Sequence, residues 1–247
     1  MKVVLLLSNE ELTVGIYVPS YKRSDRILTY NLFEKCKYLV RKSEKQLYLN
    51  SGIPNEDLLI ADDEDINGAE YAYFYIIEHA KEDVVVIADD DIEDMSYMLD
   101  IVIDLCKDKE TITSEVYRIA QLIYDLDIGM AFVGPNPIPY NYDREFAFKG
   151  IPGAVKWFNR NVFKGKIDPN VAYNFDIDLV MQELLNNRIC LMPKYLYDKG
   201  TIDKNSGGES SKKRVAQLDS IINMKAKWGK YFDFDSKKNK PKINVKR

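Results

Sequence analysis

Three adjacent carboxylates, Asp89, Asp90 and Asp91, follow directly on the apolar run Val84–Ala88. Acids this close repel one another unless a cation neutralises them. Hard oxygen ligands suit Mg²⁺ or Mn²⁺, which commonly bind through one or two carboxylates while bridging the oxygens of a diphosphate. If the segment is extended, Asp89 and Asp91 point to one side as metal ligands and Asp90 faces elsewhere. The competing reading is a helix N-terminus with acidic residues in its first turn, Glu93 and Asp94 included.

Two further clusters follow apolar runs. Pro19-Ser20-Tyr21-Lys22-Arg23 offers hydroxyl, aromatic and cationic groups that suit a nucleotide base and a diphosphate, and it reads equally as an ordinary turn into a helix. Asp176-Ile177-Asp178 opens a helical pattern, and a carboxylate there can act as general base on an acceptor hydroxyl or can simply cap the helix. The single histidine, His79, falls near a helix end and reads as no ligand, so a third protein ligand for a metal would be a residue such as Asp198 or Asp203, or water. Trp157 reads either as a stacking face for a sugar or an extruded base, with the loop 134–139 and the turn 150–153 beside it, or as core.

Such residues need a frame to hold them. Short apolar runs alternate with amphipathic stretches, the pattern of a mainly parallel α/β sheet flanked by helices, where ligands gather at the carboxyl ends of strands. Strands are expected at 14–19, 38–41, 58–61 and 84–88. Helices are expected from about 24, at 43–50, 69–80, 95–107 and 113–126. From Gly129 the texture turns to α+β: strands at 130–133, 146–149, 154–158 and 189–192, helices at 178–187 and 212–228, and polar or proline-rich loops at 134–139 and 205–208.

Composition narrows the class. A chain of 247 residues with 46% hydrophobic positions can bury one large core. Its longest apolar runs, including 3–7 and 84–88, are far shorter than the roughly 20 residues of a membrane span, and no secretory leader is evident. The expectation is a cytoplasmic protein without membrane contact. Cys36, Cys106 and Cys190 show no zinc or disulfide spacing and read as core thiols. Residues 204–247 carry 13 Lys or Arg against 4 Asp or Glu, a net of +9 in a chain of net −4, which leaves −13 on residues 1–203. A basic end on an acidic body suits a polyanion such as nucleic acid, or is a solvated tail.

With these residues in view, the chain resembles the nucleotide-sugar glycosyltransferases of the GT-A fold, through strand 84–88 ending in D-x-D and through Phe175-Asp176-Ile177-Asp178-Leu179. The latter is similar to their E-D-x-D-L element, with Phe175 in place of Glu. The resemblance implies a Rossmann-like sheet with a smaller α+β acceptor half, Asp89 and Asp91 on Mn²⁺ or Mg²⁺ and the donor diphosphate, Asp176 as base, and Asp178 in reserve. A narrower resemblance is to the TET-associated glycosyltransferases, largely encoded by bacterial viruses. It rests on Ile16-Tyr17-Val18-Pro19-Ser20-Tyr21-Lys22-Arg23, Ile66-Asn67-Gly68, Ala88-Asp89-Asp90-Asp91 and Asn205-Ser206-Gly207-Gly208, in that order over roughly residues 14–210. It implies a donor site of Pro19, Ser20, Tyr21, Arg23, Asn67, Gly68 and Asp90, a UDP-sugar as first candidate donor, and a hydroxymethylated base in DNA as acceptor. By these likenesses residues 1–203 form the transferase domain, with a donor half to about 128 and an acceptor half beyond it, and residues 204–247 form a basic helix and tail against the DNA. The rival readings are a nucleotidyltransferase, against which residues 19–26 contain no glycine, a phosphatase, which lacks a Thr after Asp91, and a non-catalytic nucleic-acid-binding protein.

Overall fold

Residues 12–99, 102–106, 108–134, 142–200 and 214–246 are described by the computed structural model. In chain order the elements are β1 (Val14–Pro19), β2 (Lys37–Arg41), α1 (Lys45–Asn50), β3 (Leu58–Ala61), α2 (Ala69–His79), β4 (Val84–Ala88), β5 (Ile92–Leu99), β6 (Val102–Cys106), α3 (Lys109–Asp125), β7 (Met130–Phe132), β8 (Phe146–Ala147), β9 (Val155–Asn159), α4 (Phe175–Asn186), β10 (Met192–Pro193), β11 (Leu196–Gly200), α5 (Arg214–Trp228), β12 (Phe232–Asp235) and β13 (Lys240–Ile243). The loops at 135–139 and 205–208, the run 3–7 and Asp203 lie outside the described residues.

The central sheet has the order β3-β2-β1-β4-β9-β7. β1 to β4 are mutually parallel, and β9 is the antiparallel strand inserted between β4 and β7. Every residue of β4 is buried, as expected of a continuous Val/Ile run covered on both faces. Alternation divides it: Val84, Val86 and Ala88 join the core under α3, and Val85 and Ile87 join the core under α2 and α4. On α3, Ile112, Val116, Ile119, Ala120 and Ile123 make the buried stripe, and Asp108 caps the helix by accepting from the Thr111 amide at 2.8 Å.

Three expectations are corrected, and the alternative at Trp157 is decided. The helix expected over 95–107 is replaced by strands: β5 pairs antiparallel with β6 and, on its other edge, with β11, and Met95, Ser96 and Met98 are buried, Met95 in the main core. The helix expected from about 24 is a turn closed by Arg26 N–H to the Arg23 carbonyl at 2.9 Å, followed by one 3₁₀ turn, Thr29–Asn31. Trp157 is fully buried, donating its indole N–H to the Val116 carbonyl at 3.0 Å, so it is core and no stacking platform. The basic end is more than a helix and tail. After α5, β12 and β13 pair as a hairpin, and Phe232, Ile221 and Met224 share a third core with Val171, Ile177 and Met181.

Candidate functional site

The site is built on the end of β4. Asp89 continues the alternation of Val85 and Ile87 and so lies toward the α2 side of the sheet. There the Tyr73 hydroxyl of α2 donates to Asp89 Oδ1 at 2.9 Å. Lys156, paired with Ile87 across β9 and β4, lies on the same side and donates to Tyr73 Oη at 3.0 Å. The edge of Phe175 packs on Tyr73 at 5.1 Å between centroids, so the residue that departs from the expected Glu buttresses this tyrosine. Thr29 Oγ1 donates to the Asp89 carbonyl at 2.7 Å and accepts from the Ile92 amide at 3.1 Å. Those bonds account for the lost helix: the segment is shaped by the turn it braces.

Beyond Asp89 the chain turns at Asp90 and Asp91 and does not stay extended. Asp90 is buried and accepts from Ser20 Oγ at 2.5 Å and from Arg23, whose guanidinium also reaches Asp91 at 3.4 Å. Burial raises the pKa of Asp90 despite these partners. Burial and the charges of Asp89 and Asp90 push Asp91 up to about 6. From β11, Asp198 joins them: burial and the charge of Asp89 push it up to about 6 as well. Glycine lets these strands close up. A Cβ on Gly153 would stand 2.7 Å from Asp198 Oδ1, and one on Gly200 would stand 3.1 Å from the Asp91 carbonyl.

On the other flank, β1 runs out through Pro19, and Ser20 N–H bonds the Leu39 carbonyl at 3.0 Å. Tyr48 donates to Ser20 Oγ at 2.7 Å, and Arg23 N–H reaches Tyr48 Oη at 3.4 Å, which ties the 19–23 loop to α1. The Tyr21 ring is flanked by the Arg41 guanidinium at 4.1 Å and the Lys22 ammonium at 4.9 Å. Arg41 also donates to the Ile66 carbonyl at 3.0 Å, which brings Asn67 and Gly68 toward the same loop. Gly68, at φ 144°, precedes α2 in a conformation that side chains avoid, and a Cβ there would meet the Glu70 carboxylate at 2.8 Å.

The two acids of the 176–178 pair part company. Burial raises the pKa of Asp176, the Lys156 charge opposes it, and the Asp89 charge adds to it, so Asp176 belongs to the group around β4. Asp178 is 1% exposed and accepts from Trp228 Nε1 at 2.7 Å, Lys227 Nζ at 2.9 Å and Gln182 Nε2 at 2.7 Å, binding α5 to α4. His79 is exposed at the end of α2 and stacks on Tyr75 at 3.9 Å. Sequence reasoning missed Tyr73, Thr29, Arg41 and Lys156. Only Lys156 carried a signal: a charge inside the apolar strand Val155–Asn159.

The donor set fits a divalent cation, because Asp91 and Asp198 stand in a desolvated acidic group that a cation would relieve. Among the described residues no three His, Cys, Asp or Glu side chains converge as a ready-made cage. Asp89 and Asp91, on the turn that follows β4, are the carboxylates that could hold Mn²⁺ or Mg²⁺ there, where a cation would supply charge neutralisation.

The family model of the TET-associated glycosyltransferases matches residues 14–208. The chain belongs to this family. No curated protein matches this chain. Among solved structures its fold is similar to the mannosyltransferase PcManGT from Pyrobaculum calidifontis, solved with GDP-Man and Mn²⁺, at TM-score 0.50 and 15% identity over 74% of this chain. The match spans 55% of that protein, little more than half its length. It is similar also to glucosyl-3-phosphoglycerate synthase from Mycobacterium tuberculosis with Mn²⁺, UDP and phosphoglyceric acid, at TM-score 0.51 and 10% identity, over 94% of this chain and 86% of that one. The architecture is the GT-A fold, a mainly parallel sheet between helices. Among the described residues no helix is long and apolar enough to cross a membrane.

Proposed function

We propose that this TET-associated glycosyltransferase moves a sugar from a nucleotide-sugar donor to a hydroxyl acceptor with the help of Mn²⁺ or Mg²⁺ at Asp89 and Asp91. The observation that carries this is the run Asp89, Asp90 and Asp91 at the carboxyl end of the buried strand β4, with Arg23 reaching both Asp90 and Asp91, and with Asp176 and Asp198 near enough to Asp89 for its charge to raise their pKa values. The metal, when bound, neutralises charge on the departing nucleoside diphosphate. Tyr21, flanked by Arg41, offers a face for the base, with Pro19, Ser20, Asn67 and Gly68 around it. Asp90 holds Arg23 toward the diphosphate. Asp176 receives the acceptor's proton, since Asp178 has its oxygens committed to α5. The Mn²⁺ and nucleotide bound in PcManGT and in the mycobacterial synthase support this choice of cofactor and donor class, with UDP-sugars first to be tried.

The acceptor we propose is a hydroxymethylated base in DNA, which would place the enzyme in the cytoplasm of a virus-infected host. The support is the basic end. On β13 and beyond it, Lys240, Lys242 and Lys246 are exposed, while Pro241, Ile243 and Val245 turn inward, so the cations share one outer face. In this reading the donor half runs to about 128, the acceptor half to about 203, and the segment 204–247 meets the phosphates.

A thermal-shift screen of nucleoside diphosphates and nucleotide sugars, each with and without Mn²⁺, tests the first part. Manganese-dependent stabilisation by one nucleotide sugar is expected, by roughly 2.7 kcal/mol at a hundredfold excess over Kd. No shift with any of them overturns it. Incubating that donor with duplexes carrying 5-hydroxymethyl bases and weighing the products tests the second; a mass gain confined to small-molecule acceptors rejects DNA.

A further inference from the structure

Lys156 is the one charged residue in β9, and it is 3% exposed. Among the described residues it makes no ion pair within 4 Å, although Asp176 and Asp198 both feel its charge. Its ammonium donates to Tyr73 Oη at 3.0 Å, and the Tyr73 hydroxyl donates to Asp89 Oδ1 at 2.9 Å. An ammonium has donors only, so Tyr73 must spend a lone pair on Lys156 and its one hydrogen on Asp89. The direction of the whole chain is thereby set by the lysine. Bonds in such a chain polarise one another, and burial strengthens them.

We infer that Lys156, acting through Tyr73, is a positioning residue: it pins Oδ1 of Asp89 and leaves Oδ2 to face the metal. A neutral residue at 156 would free the tyrosine hydroxyl to rotate and Asp89 to swing. Side chains that orient a metal-ligating carboxylate from behind commonly set metal affinity by about 10–100-fold. The placement has a topological origin. Lys156 sits beside Ile87 because β9 runs antiparallel to β4, and Tyr73 sits above both because α2 covers that face. The three residues come from three separate parts of the chain and meet only in the folded state.

The inference rests on the metal reading above, and the experiment separates the two. Free Mn²⁺ is titrated by its electron paramagnetic resonance signal against the wild type, Lys156→Met, Tyr73→Phe and the double variant, with melting temperatures recorded for each. Each folded single variant is expected to bind Mn²⁺ about 10–100-fold more weakly. The double variant is expected to bind no more weakly than the weaker single one, because both changes break one chain. Single variants within twofold of the wild type, or losses that add in the double, overturn the relay and leave the metal site standing. A wild type that binds no Mn²⁺ overturns the metal reading and the relay with it. If Lys156→Met does not fold, Tyr73→Phe, which keeps the ring and its packing on Phe175, decides alone.

Discussion

Two charged regions of this molecule are built on opposite principles. At the end of β4 the charges are withdrawn from water and tied to named partners: Asp90 to Ser20 and Arg23, Asp89 to Tyr73, Tyr73 to Lys156. On the C-terminal hairpin Lys240 and Lys242 are exposed on β13, opposite Asp235 and Asp233 of β12, and the ion pair of Lys225 with Asp233 at 3.1 Å joins side chains about half exposed. In the first region each group has one position and one orientation, which chemistry requires. In the second the cations supply a field that is screened by salt and shared among several residues. Single substitutions should therefore be severe in one region and graded in the other.

The sharpest contrast comes from Asp89→Asn and Asp91→Asn, which keep shape and remove charge. Transfer should fall by more than about 100-fold in each, beyond what altering a group behind a metal ligand costs. Asp91→Asn should at the same time leave the metal-free protein at pH 7 as stable as the wild type or more so, since it relieves repulsion that already raises the Asp91 pKa to about 6. Initial rates and melting curves on one preparation check both. A destabilised, inactive Asp91→Asn would place that carboxylate in the fold and not in the chemistry.

Asp178 tests whether the C-terminal assembly is bound by specific contacts or merely adheres. Asp178→Ala leaves Trp228 Nε1 without its acceptor, while Lys227 keeps Asp168 at 2.8 Å. A loss of about 2–3 kcal/mol in urea unfolding is expected. If the loss is instead below about 0.5 kcal/mol, α5 is held by its apolar face alone.

The acid group also predicts how stability follows pH. Asp91 and Asp198 titrate near 6 in the folded protein, above their ordinary value, so between pH 4 and 6 the folded state binds more protons than the unfolded one. Their contribution is fully present below about pH 4 and is lost as pH rises through about 6. Two carboxyls raised from about 4 to about 6 correspond to a decline of at most about 6 kcal/mol, which screening at the partly exposed Asp91 reduces to about 3–5 kcal/mol in chelator-treated protein, and Mn²⁺ should recover it at pH 7. Melting temperatures taken from pH 4 to 7, with and without Mn²⁺, give the answer. A profile that does not change with the metal separates the acids from any cation.

What could be read in advance follows the same division. Val14–Pro19, Leu58–Ala61 and Val84–Ala88 were legible to the residue because each is a short, mostly apolar run, most plainly in Val84–Ala88, which is buried throughout. The acids after Val84–Ala88 were visible for the same reason. The pairing of β5 and β6 was not, since β5 is paired on its far edge with β11, about a hundred residues away, and Met95-Ser96-Tyr97-Met98 has no clear period on its own. Tyr73 and Thr29 are hidden because nothing local in α2 or in the turn before Asp89 announces where their hydroxyls go. The terminal hairpin was legible and was obscured by its lysines: Lys240-Pro241-Lys242-Ile243 alternates, and Asn239, at φ 50°, marks the turn before it.

The smallest effects should come from the outer face of that hairpin, and their form matters more than their size. Replacing Lys240, Lys242 or Lys246 singly by Gln should weaken duplex binding by about fivefold near 0.15 M salt and reduce the salt slope by about 1 for each contact removed. The loss should be the same for modified and unmodified duplexes, because phosphates carry no sequence. Mn²⁺ affinity should not change. Anisotropy titrations at several salt concentrations measure this directly. Equal slopes for the wild type and the triple variant would mean that these lysines only keep the surface in solution, and the acceptor would then have to be held by the residues around Asp176.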